Sequence, residues 1–204
     1  MKPLLGRLVA GLAVAFVLAA FGAAQAAAPK PALQTAVFAG GCFWCMETDM
    51  KNVPGVVSVE SGYTGGTLRK PTYQDVLTER TGHYEAVRVK FDPAKISYAG
   101  LMKRYWKLVD PTDAGGQFCD RGPSYRTAVF VSSPEQRTLA EQSRAEAAKQ
   151  LKSGTMTTQI LPLGEFWPAE EYHRDYAKRN PVNYAAYRFG CGRDRKLVQV
   201  WGQG

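Results

Sequence analysis

Short apolar or alternating segments recur along the chain, and each predicts a β-strand. They occupy residues 35–39, 56–61, 85–91, 125–131 and 157–163. Segments with apolar residues three or four positions apart lie between them and predict amphipathic helices. The predicted helices cover residues 42–53, 98–109, 134–152 and 168–178. Two successive strand–helix–strand units favour an α+β or α/β sandwich.

Two segments without such a pattern are expected to lack regular structure. Residues 110–124 contain several glycines and one cysteine, and loops of this length in compact domains are often functional. The segment after Asn180 and Pro181 is aromatic and punctuated by glycines, which predicts a coil-rich C-terminal tail.

The N-terminal segment has the pattern of a secretory signal peptide. A positive start with Lys2 and Arg7 precedes the nearly uncharged apolar residues 8–24, and residues 24–26 read Ala-Gln-Ala. An uncleaved membrane anchor is the alternative, but the apolar run is shorter than the about 20 residues that span a bilayer. We therefore expect residues 1–26 to be removed on export, and we expect the periplasm to be the destination.

After this segment, residues 27–34 form a proline-containing linker, and residues 35–204 form a single domain. Removal of residues 1–26 leaves 24 basic and 18 acidic residues, a net charge of +6. The basic residues are scattered, so the chain lacks the stripe that a nucleic-acid interface requires. A domain of this size buries roughly 70% of its unfolded surface without disulfide staples, which leaves its four cysteines free for chemistry.

The sharpest local feature is the segment of residues 40–45, Gly-Gly-Cys-Phe-Trp-Cys. A strand end, two glycines and a helix start place Cys42 over free backbone N–H groups, a position that lowers the pKa of a thiol. Cys45 follows three residues later, and a Cys-x-x-Cys pair is also found in thioredoxin-like dithiols.

Two other roles for the cysteines are weaker. A zinc site requires further ligands at close spacing, but Cys119 and Cys191 are isolated in the sequence, and His83 and His173 do not form a pair. His173 is expected to lie on the surface or to pack behind a site. Purely structural disulfides in an exported protein would allow three full pairings of four cysteines, but they do not explain the aromatic residues between Cys42 and Cys45.

Several segments together resemble one family. Residues 41–44, Gly-Cys-Phe-Trp, and residues 81–87, Thr-Gly-His-Tyr-Glu-Ala-Val, are similar to motifs of class A peptide methionine sulfoxide reductases. Supporting segments follow in the family's order over roughly residues 35 to 190: Ser-Gly-Tyr-Thr-Gly-Gly at 61–66, Pro-Thr-Tyr at 71–73, Asp-Arg-Gly-Pro-Ser-Tyr-Arg at 120–126 and Tyr-His-Arg-Asp-Tyr at 172–176. The resemblance implies a two-layer sandwich with a ferredoxin-like βαββαβ core, additional helices and one catalytic domain.

The resemblance also implies a reaction, the thiol-dependent reduction of methionine S-sulfoxide, free or in proteins. Cys42 would be the nucleophile, and Phe43 and Trp44 would form the apolar slot for the substrate methyl group. Glu85 would be the acid that protonates the departing oxygen, and a carboxyl group can do so near neutral pH only if burial raises its pKa.

Three further residues complete the site that the resemblance implies. Tyr73 and Tyr125 would donate hydrogen bonds to the sulfoxide oxygen, as in an oxyanion site. Asp120 would orient the substrate or an ordered water molecule. No metal and no organic cofactor is expected, because thiols supply the reducing equivalents.

Regeneration requires a second thiol that condenses with the sulfenic acid of Cys42. In the family that the chain resembles, many members carry this cysteine in a tail soon after an Asn-Pro-x-x-Tyr segment, but here Tyr184 is followed by Ala185. We expect Cys191, between two glycines, to be the resolving residue. Cys45 is the second candidate and Cys119 is the third, and a relay through two of them is an option.

The partners follow from the same chemistry. A thioredoxin-like dithiol is expected to reduce the enzyme, and the protein is expected to be a monomer without stable membrane association. The alternatives are a general periplasmic thiol–disulfide oxidoreductase that uses Cys42 and Cys45, and a secreted binding domain with two structural disulfides and no free thiol.

Overall fold

A computed structural model describes residues 32–202, so the predicted signal peptide lies outside the described residues. The strands are β1 (Gln34–Gly40), β2 (Val56–Thr64), β3 (Tyr84–Phe91), β4 (Gly116–Gln117), β5 (Asp120–Arg121), β6 (Thr127–Val131), β7 (Gln159–Pro162) and β8 (Trp167–Pro168). The helices are α1 (Phe43–Lys51), α2 (Tyr73–Leu77), α3 (Tyr98–Trp106), α4 (Pro134–Ala148), α5 (Tyr176–Arg179), α6 (Pro181–Gly190) and α7 (Arg193–Trp201).

Within residues 32–202, the main sheet has the strand order β7-β6-β1-β3-β2-β8. Its four central strands, β6, β1, β3 and β2, pair antiparallel with one another, and β7 adds to β6 in parallel after the crossover through α4. The succession β1-α1-β2-β3-α3-β6 with this central order is the ferredoxin-like arrangement. The predicted α+β class and its core are therefore confirmed.

The core lies between one face of the sheet and helices α1, α3 and α4. Alternate residues of β1 divide between the two faces, as the strand period requires: Phe38 belongs to this core, and Val37 belongs to a smaller cluster on the other face. Met46 and Met50, one turn apart on α1, are buried against the sheet. This packing holds the start of α1 rigidly at the end of β1.

The C-terminal part of the chain differs from the prediction. The tail is not coil-rich, because α6 and α7 occupy most of it. The helices are stabilised by tertiary contacts: the Arg193 side chain is 1% exposed, and the indole N–H of Trp201 donates to the Val109 carbonyl at 2.9 Å. Gly192, with a φ of 64°, forms the left-handed link between the two helices, a conformation that glycine adopts without strain.

The predicted helix over residues 168–178 is also wrong. Pro168 belongs to β8, a 3₁₀ turn covers Glu171–His173, and only α5 is α-helical. Asp175 adopts a left-handed φ of 52°, which interrupts any continuous helix. The cause is tertiary, because the Asp175 backbone N–H donates to the buried carboxylate of Glu47.

The remaining differences concern element boundaries. The strand predicted from residue 125 begins at Thr127, since Pro123–Tyr125 form a 3₁₀ turn. Helix α2 lies in a segment for which no helix was predicted, and a capping box of Thr72 and Asp75 stabilises its first turn. No helix among residues 32–202 is both long and apolar enough to cross a membrane.

Candidate active site

Cys42 lies at the turn between β1 and α1. Gly41 adopts a φ of 77°, and a Cβ atom at this position would lie 2.5 Å from Gln117 Cβ, so the turn requires glycine. Cys42 is the N-cap residue of α1 and is 6% exposed. Its sulfur therefore sits at a helix start, as predicted, but in a nearly closed environment.

Glu85, on β3, occupies the position at the start of α1 that the sequence suggested for the Cys42 thiol. Its Oε2 atom accepts the first free N–H group of α1, from Phe43, at 2.9 Å. The Cys42 side chain makes no cap hydrogen bond, and burial raises the pKa of its thiol. The expectation of a lowered Cys42 pKa is therefore wrong for the substrate-free site, because Glu85 takes the helix N-terminus.

The environment of Glu85 suits a proton donor. The side chain is 2% exposed, and burial raises its pKa to about 8 although the Phe43 N–H group opposes this shift. The carboxyl group is consequently protonated at neutral pH. A buried, neutral carboxylic acid beside a thiol can donate a proton to an oxygen atom that leaves its sulfur.

Phe43 and Trp44 form an apolar wall beside the thiol. The Trp44 ring stacks on Tyr176 at a centroid distance of 3.7 Å, and its indole N–H donates to His173 Nδ1 at 3.1 Å. His173 is 2% exposed, and burial lowers its pKa, which favours the neutral imidazole that can accept this bond. His173 is thus buried behind the wall rather than on the surface, and it fixes the orientation of Trp44.

The side chains of Tyr73 and Tyr125 lie close to each other in the lining of the same cavity. Burial raises the pKa of Tyr73 to about 12 and raises the pKa of Tyr125 as well. Both phenols therefore keep their protons and remain hydrogen-bond donors at neutral pH. Asp120 lies nearby on β5, and burial raises the pKa of its carboxyl group.

Tyr187 is a site residue that the sequence did not reveal. Its hydroxyl group donates to Asp120 Oδ2 at 2.5 Å and lies near the Cys42 thiol in the same cavity lining. The available signal was the spacing of Tyr184 and Tyr187, which places two aromatic rings on one face of a helix. Because a coil and not a helix was predicted for this segment, the spacing did not indicate that the two rings share a face.

One cavity of about 200 Å³ brings these groups together. Its lining consists of Tyr187 and all seven residues that the sequence placed in the catalytic and substrate-binding roles: Cys42, Phe43, Trp44, Tyr73, Glu85, Asp120 and Tyr125. They come from the turn between β1 and α1, from α1, α2, β3, β5 and α6, and from the turn before β6, so only the fold brings them together.

The other cysteines divide into two pairs. Cys119 and Cys191 form a disulfide with a Cα–Cα distance of 4.9 Å, which joins the β4–β5 hairpin to the α6–α7 junction. The Cys119 sulfur lies 3.8 Å from Asp120 Oδ1, at the edge of the cavity. Among the described residues, Cys42 and Cys45 are free, buried thiols, which contradicts a domain with two structural disulfides.

A cluster with potential metal-ligand atoms overlaps this disulfide. Atoms of Cys119, Asp120 and Cys191 lie within 4.8 Å of one another. Thiolates are the metal-binding form of cysteine, and the disulfide removes both of them. A free thiol, a carboxyl group with a raised pKa, two phenol donors and an apolar wall in one cavity are the groups that a thiol-dependent oxidoreductase requires.

Comparison with known proteins specifies the class further. The family model "Peptide methionine sulfoxide reductase" matches residues 34–204, and the chain belongs to this family. It is 69% identical over 185 residues to "Peptide methionine sulfoxide reductase MsrA 2" of Caulobacter vibrioides, covering 91% of this chain and 94% of the relative. It is 50% identical over 171 residues to an MsrA of Bacillus licheniformis, covering 83% and 94%.

Solved structures agree with this assignment. Methionine sulfoxide reductase A of Corynebacterium diphtheriae superposes with a TM-score of 0.67 at 33% identity, over 75% of this chain and 77% of that chain. Reduced Mxr1 from Saccharomyces cerevisiae gives a TM-score of 0.65 at 26% identity, over 74% and 87%. The predicted family is confirmed, and the protein is an oxidoreductase of methionine sulfoxide rather than a general thiol–disulfide oxidoreductase.

Proposed function

We propose that this protein reduces the S epimer of methionine sulfoxide, free or in oxidised proteins, with Cys42 as the nucleophile. The observation that carries the proposal is the single cavity in which a thiol, a protonated carboxyl group and an apolar wall meet. A sulfoxide presents a polarised S–O bond and a methyl group, and the cavity offers a complementary group to each. Phe43 and Trp44 would contact the methyl group, and Tyr73 and Tyr125 would hydrogen-bond the oxygen.

In the first step, the Cys42 sulfur attacks the sulfoxide sulfur and Glu85 donates its proton to the oxygen. The thiol proton leaves towards Asp120, because the Tyr187 hydroxyl lies between Cys42 and the Asp120 carboxylate. Oxygen transfer then releases methionine and leaves Cys42 as a sulfenic acid. The sulfoxide gains two electrons, and the Cys42 sulfur loses them.

The separated sulfoxide epimers test this function. With a dithiol as reductant, the wild-type protein should release methionine from the S epimer and less than about 1% as fast from the R epimer, since one epimer per enzyme is the expected selectivity. Chromatographic quantification of methionine measures both rates. Equal rates with the two epimers would contradict the proposed orientation of methyl group and oxygen.

In the second step, Cys191 attacks the sulfenic acid of Cys42, which releases water and forms a Cys42–Cys191 disulfide. Cys119 then attacks Cys191, and this exchange restores the Cys42 thiol and leaves the Cys119–Cys191 disulfide. Two contacts support the relay. One Asp120 carboxylate oxygen accepts a hydrogen bond from the Tyr187 hydroxyl, which lines the same cavity as Cys42, and the other oxygen lies 3.8 Å from the Cys119 sulfur.

The Cys191→Ser variant should release about one methionine per chain and then stop, because the relay has lost its first thiol. Its multiple-turnover rate should fall by roughly 100-fold or more with a thioredoxin-like donor. Val182→Ala, at an exposed position of the same helix, is the matched control and should cycle normally. Normal multiple turnover in Cys191→Ser would remove Cys191 from the relay.

The reductant and the location are part of the proposal. Cys119 is exposed, so an external thioredoxin-like dithiol can reach the Cys119–Cys191 disulfide while Cys42 stays buried. The N-terminal signal-peptide pattern supports export to the periplasm, where cytosolic thioredoxin has no access. A membrane-fed thioredoxin-like domain would then be the donor, and protein repair under oxidative stress would be the physiological role.

A further inference from the structure

The Cys45 thiol is a buried nucleophile that the proposed relay does not use. It is 2% exposed and belongs to one apolar cluster with Cys42 and Tyr184. The Cys119–Cys191 disulfide already occupies the other two cysteines, and Cys42 is nevertheless a free thiol. In this state Cys42 can attack a second sulfoxide, and its sulfenic acid then has only Cys45 as a partner.

We propose that Cys45 is a second resolving thiol, which closes a buried Cys42–Cys45 disulfide when Cys119 and Cys191 are already oxidised. This inference rests on the proposed function. It adds a role that the relay does not contain, since the Cys42–Cys45 bond protects the sulfenic acid of Cys42 from further oxidation. The irreversible products of that oxidation are sulfinic and sulfonic acids.

The local backbone favours such a bond. Cys42 is the N-cap residue with φ −47° and ψ 118°, so it lies outside the helical conformation, and the Cys45 N–H group donates to its carbonyl at 3.1 Å. Two residues that are both inside a helix at this spacing have Cβ atoms about 5–6 Å apart, longer than the roughly 3.8 Å of a disulfide. A non-helical Cys42 can shorten this distance through its own dihedral angles, without unwinding of α1.

The electrostatic environment makes Cys45 a nucleophile. A partly buried charge cluster lies beside it: Asp49 Oδ1 binds Arg188 Nη1 at 2.8 Å, and Asp49 Oδ2 lies 3.5 Å from Arg193 Nε. A hydrogen bond from Cys42, together with the positive charges of Arg193 and Arg188, lowers the pKa of Cys45 to about 7 against the effect of burial. In the dithiol state a substantial fraction of Cys45 is therefore thiolate at neutral pH, and the positive charges of Arg193 and Arg188 still favour the thiolate after Cys42 has been oxidised.

The redox balance of the step is complete. The Cys45 thiolate attacks the sulfenic sulfur of Cys42, the S–S bond forms, and hydroxide leaves and takes up a proton as water. For return to the dithiol state, the external dithiol first reduces Cys119–Cys191. The Cys191 thiolate then attacks Cys42 and expels the Cys45 thiolate, and Cys119 completes the exchange.

The experiment uses the fully reduced wild-type protein with excess S-sulfoxide and no reductant. Four thiols supply two two-electron steps, so about two methionines per chain should be released. Mass spectrometry should find a Cys119–Cys191 bond and a tryptic peptide that contains both Cys42 and Cys45, is lighter by two hydrogen atoms and resists alkylation. Dimedone, which traps sulfenic acids, should label Cys42 in less than about 10% of the chains.

The Cys45→Ser and Cys45→Ala variants should also release about two methionines, because the first step needs only Cys42. After the second release, dimedone should label most of their Cys42, at least about 5-fold more than in the wild type. Val182→Ala should behave as the wild type. Dimedone labelling of Cys42 in the wild type, or absence of the Cys42–Cys45 peptide from it, would overturn the proposal.

The methionine count keeps this inference separate from the proposed function. If no methionine is released, the proposed function fails; if methionine is released but Cys42 remains a sulfenic acid, only the role of Cys45 fails. The wild-type measurement requires no substitution, so a folding defect in a variant does not affect it.

Discussion

The Cys42→Ser variant should lose sulfoxide reduction by about 10,000-fold or more, the largest effect expected for any single substitution. A serine hydroxyl group cannot form a sulfenic acid or a disulfide, and its oxygen does not ionise near neutral pH. The remaining groups of the cavity, including Glu85, would still bind the sulfoxide, but no nucleophile would attack it. Methionine release under single-turnover conditions measures the effect independently of the donor.

The fold should tolerate this substitution. The Cys42 side chain makes no capping hydrogen bond, and serine is a favoured N-cap residue of similar size. Thermal unfolding and circular dichroism should therefore match the wild type, which separates lost chemistry from lost structure. Methionine release by Cys42→Ser above about 1% of the wild-type rate would disprove the role of Cys42 as nucleophile.

The second large effect is expected at Glu85. Glu85→Gln keeps the hydrogen bond from the Phe43 N–H group but removes the transferable proton, and general acid catalysis contributes typically 10²–10⁴-fold. The methionine release rate should fall within that range, about 100-fold or more. The affinity for the sulfoxide should change much less, because the shape and neutrality of the side chain are preserved.

The pH dependence supplies a second signature. Burial raises the pKa of Glu85 to about 8, and the protonated form is the active one. The wild-type rate should therefore fall as the pH rises through about 8, and Glu85→Gln should lack this alkaline decrease. Glu60→Gln, on the same sheet but paired with Arg88 at the surface, is the matched control. If the alkaline decrease in rate persists in Glu85→Gln, a group other than Glu85 causes it.

Strand periodicity predicted the sheet well, because alternation reports directly on which residues face a core. The strands around Phe38, Val87 and Val129 appear in the structure with small boundary shifts. The C-terminal region was predicted poorly for the opposite reason. Helices α6 and α7 are held by the buried Arg193, by Tyr184 against the cysteine pair and by Trp201, and these contacts come from distant parts of the chain.

The seven residues chosen from motifs all line one cavity, although their chemical states could not be read from the motifs. The position of Cys42 at a predicted helix start suggested that the pKa of its thiol would be lowered. In the folded protein Glu85 binds that helix start instead, and the Cys42 thiol is buried. For His173 the sequence left two positions open, on the surface or packed behind a site, and the structure shows the second: it lies behind Trp44 as a hydrogen-bond acceptor.

The order of residues along the chain determined the family and identified the residues that we propose as the nucleophile and the polar groups around it, because these depend on short motifs and on a strand period that local chemistry imposes. The three-dimensional arrangement decided the pairing of Cys119 with Cys191, the place of Tyr187 beside Asp120 and the charge cluster next to Cys45. Each of these depends on groups brought together from separate segments. These groups are removed from water and interact electrostatically only when the folded chain packs them together.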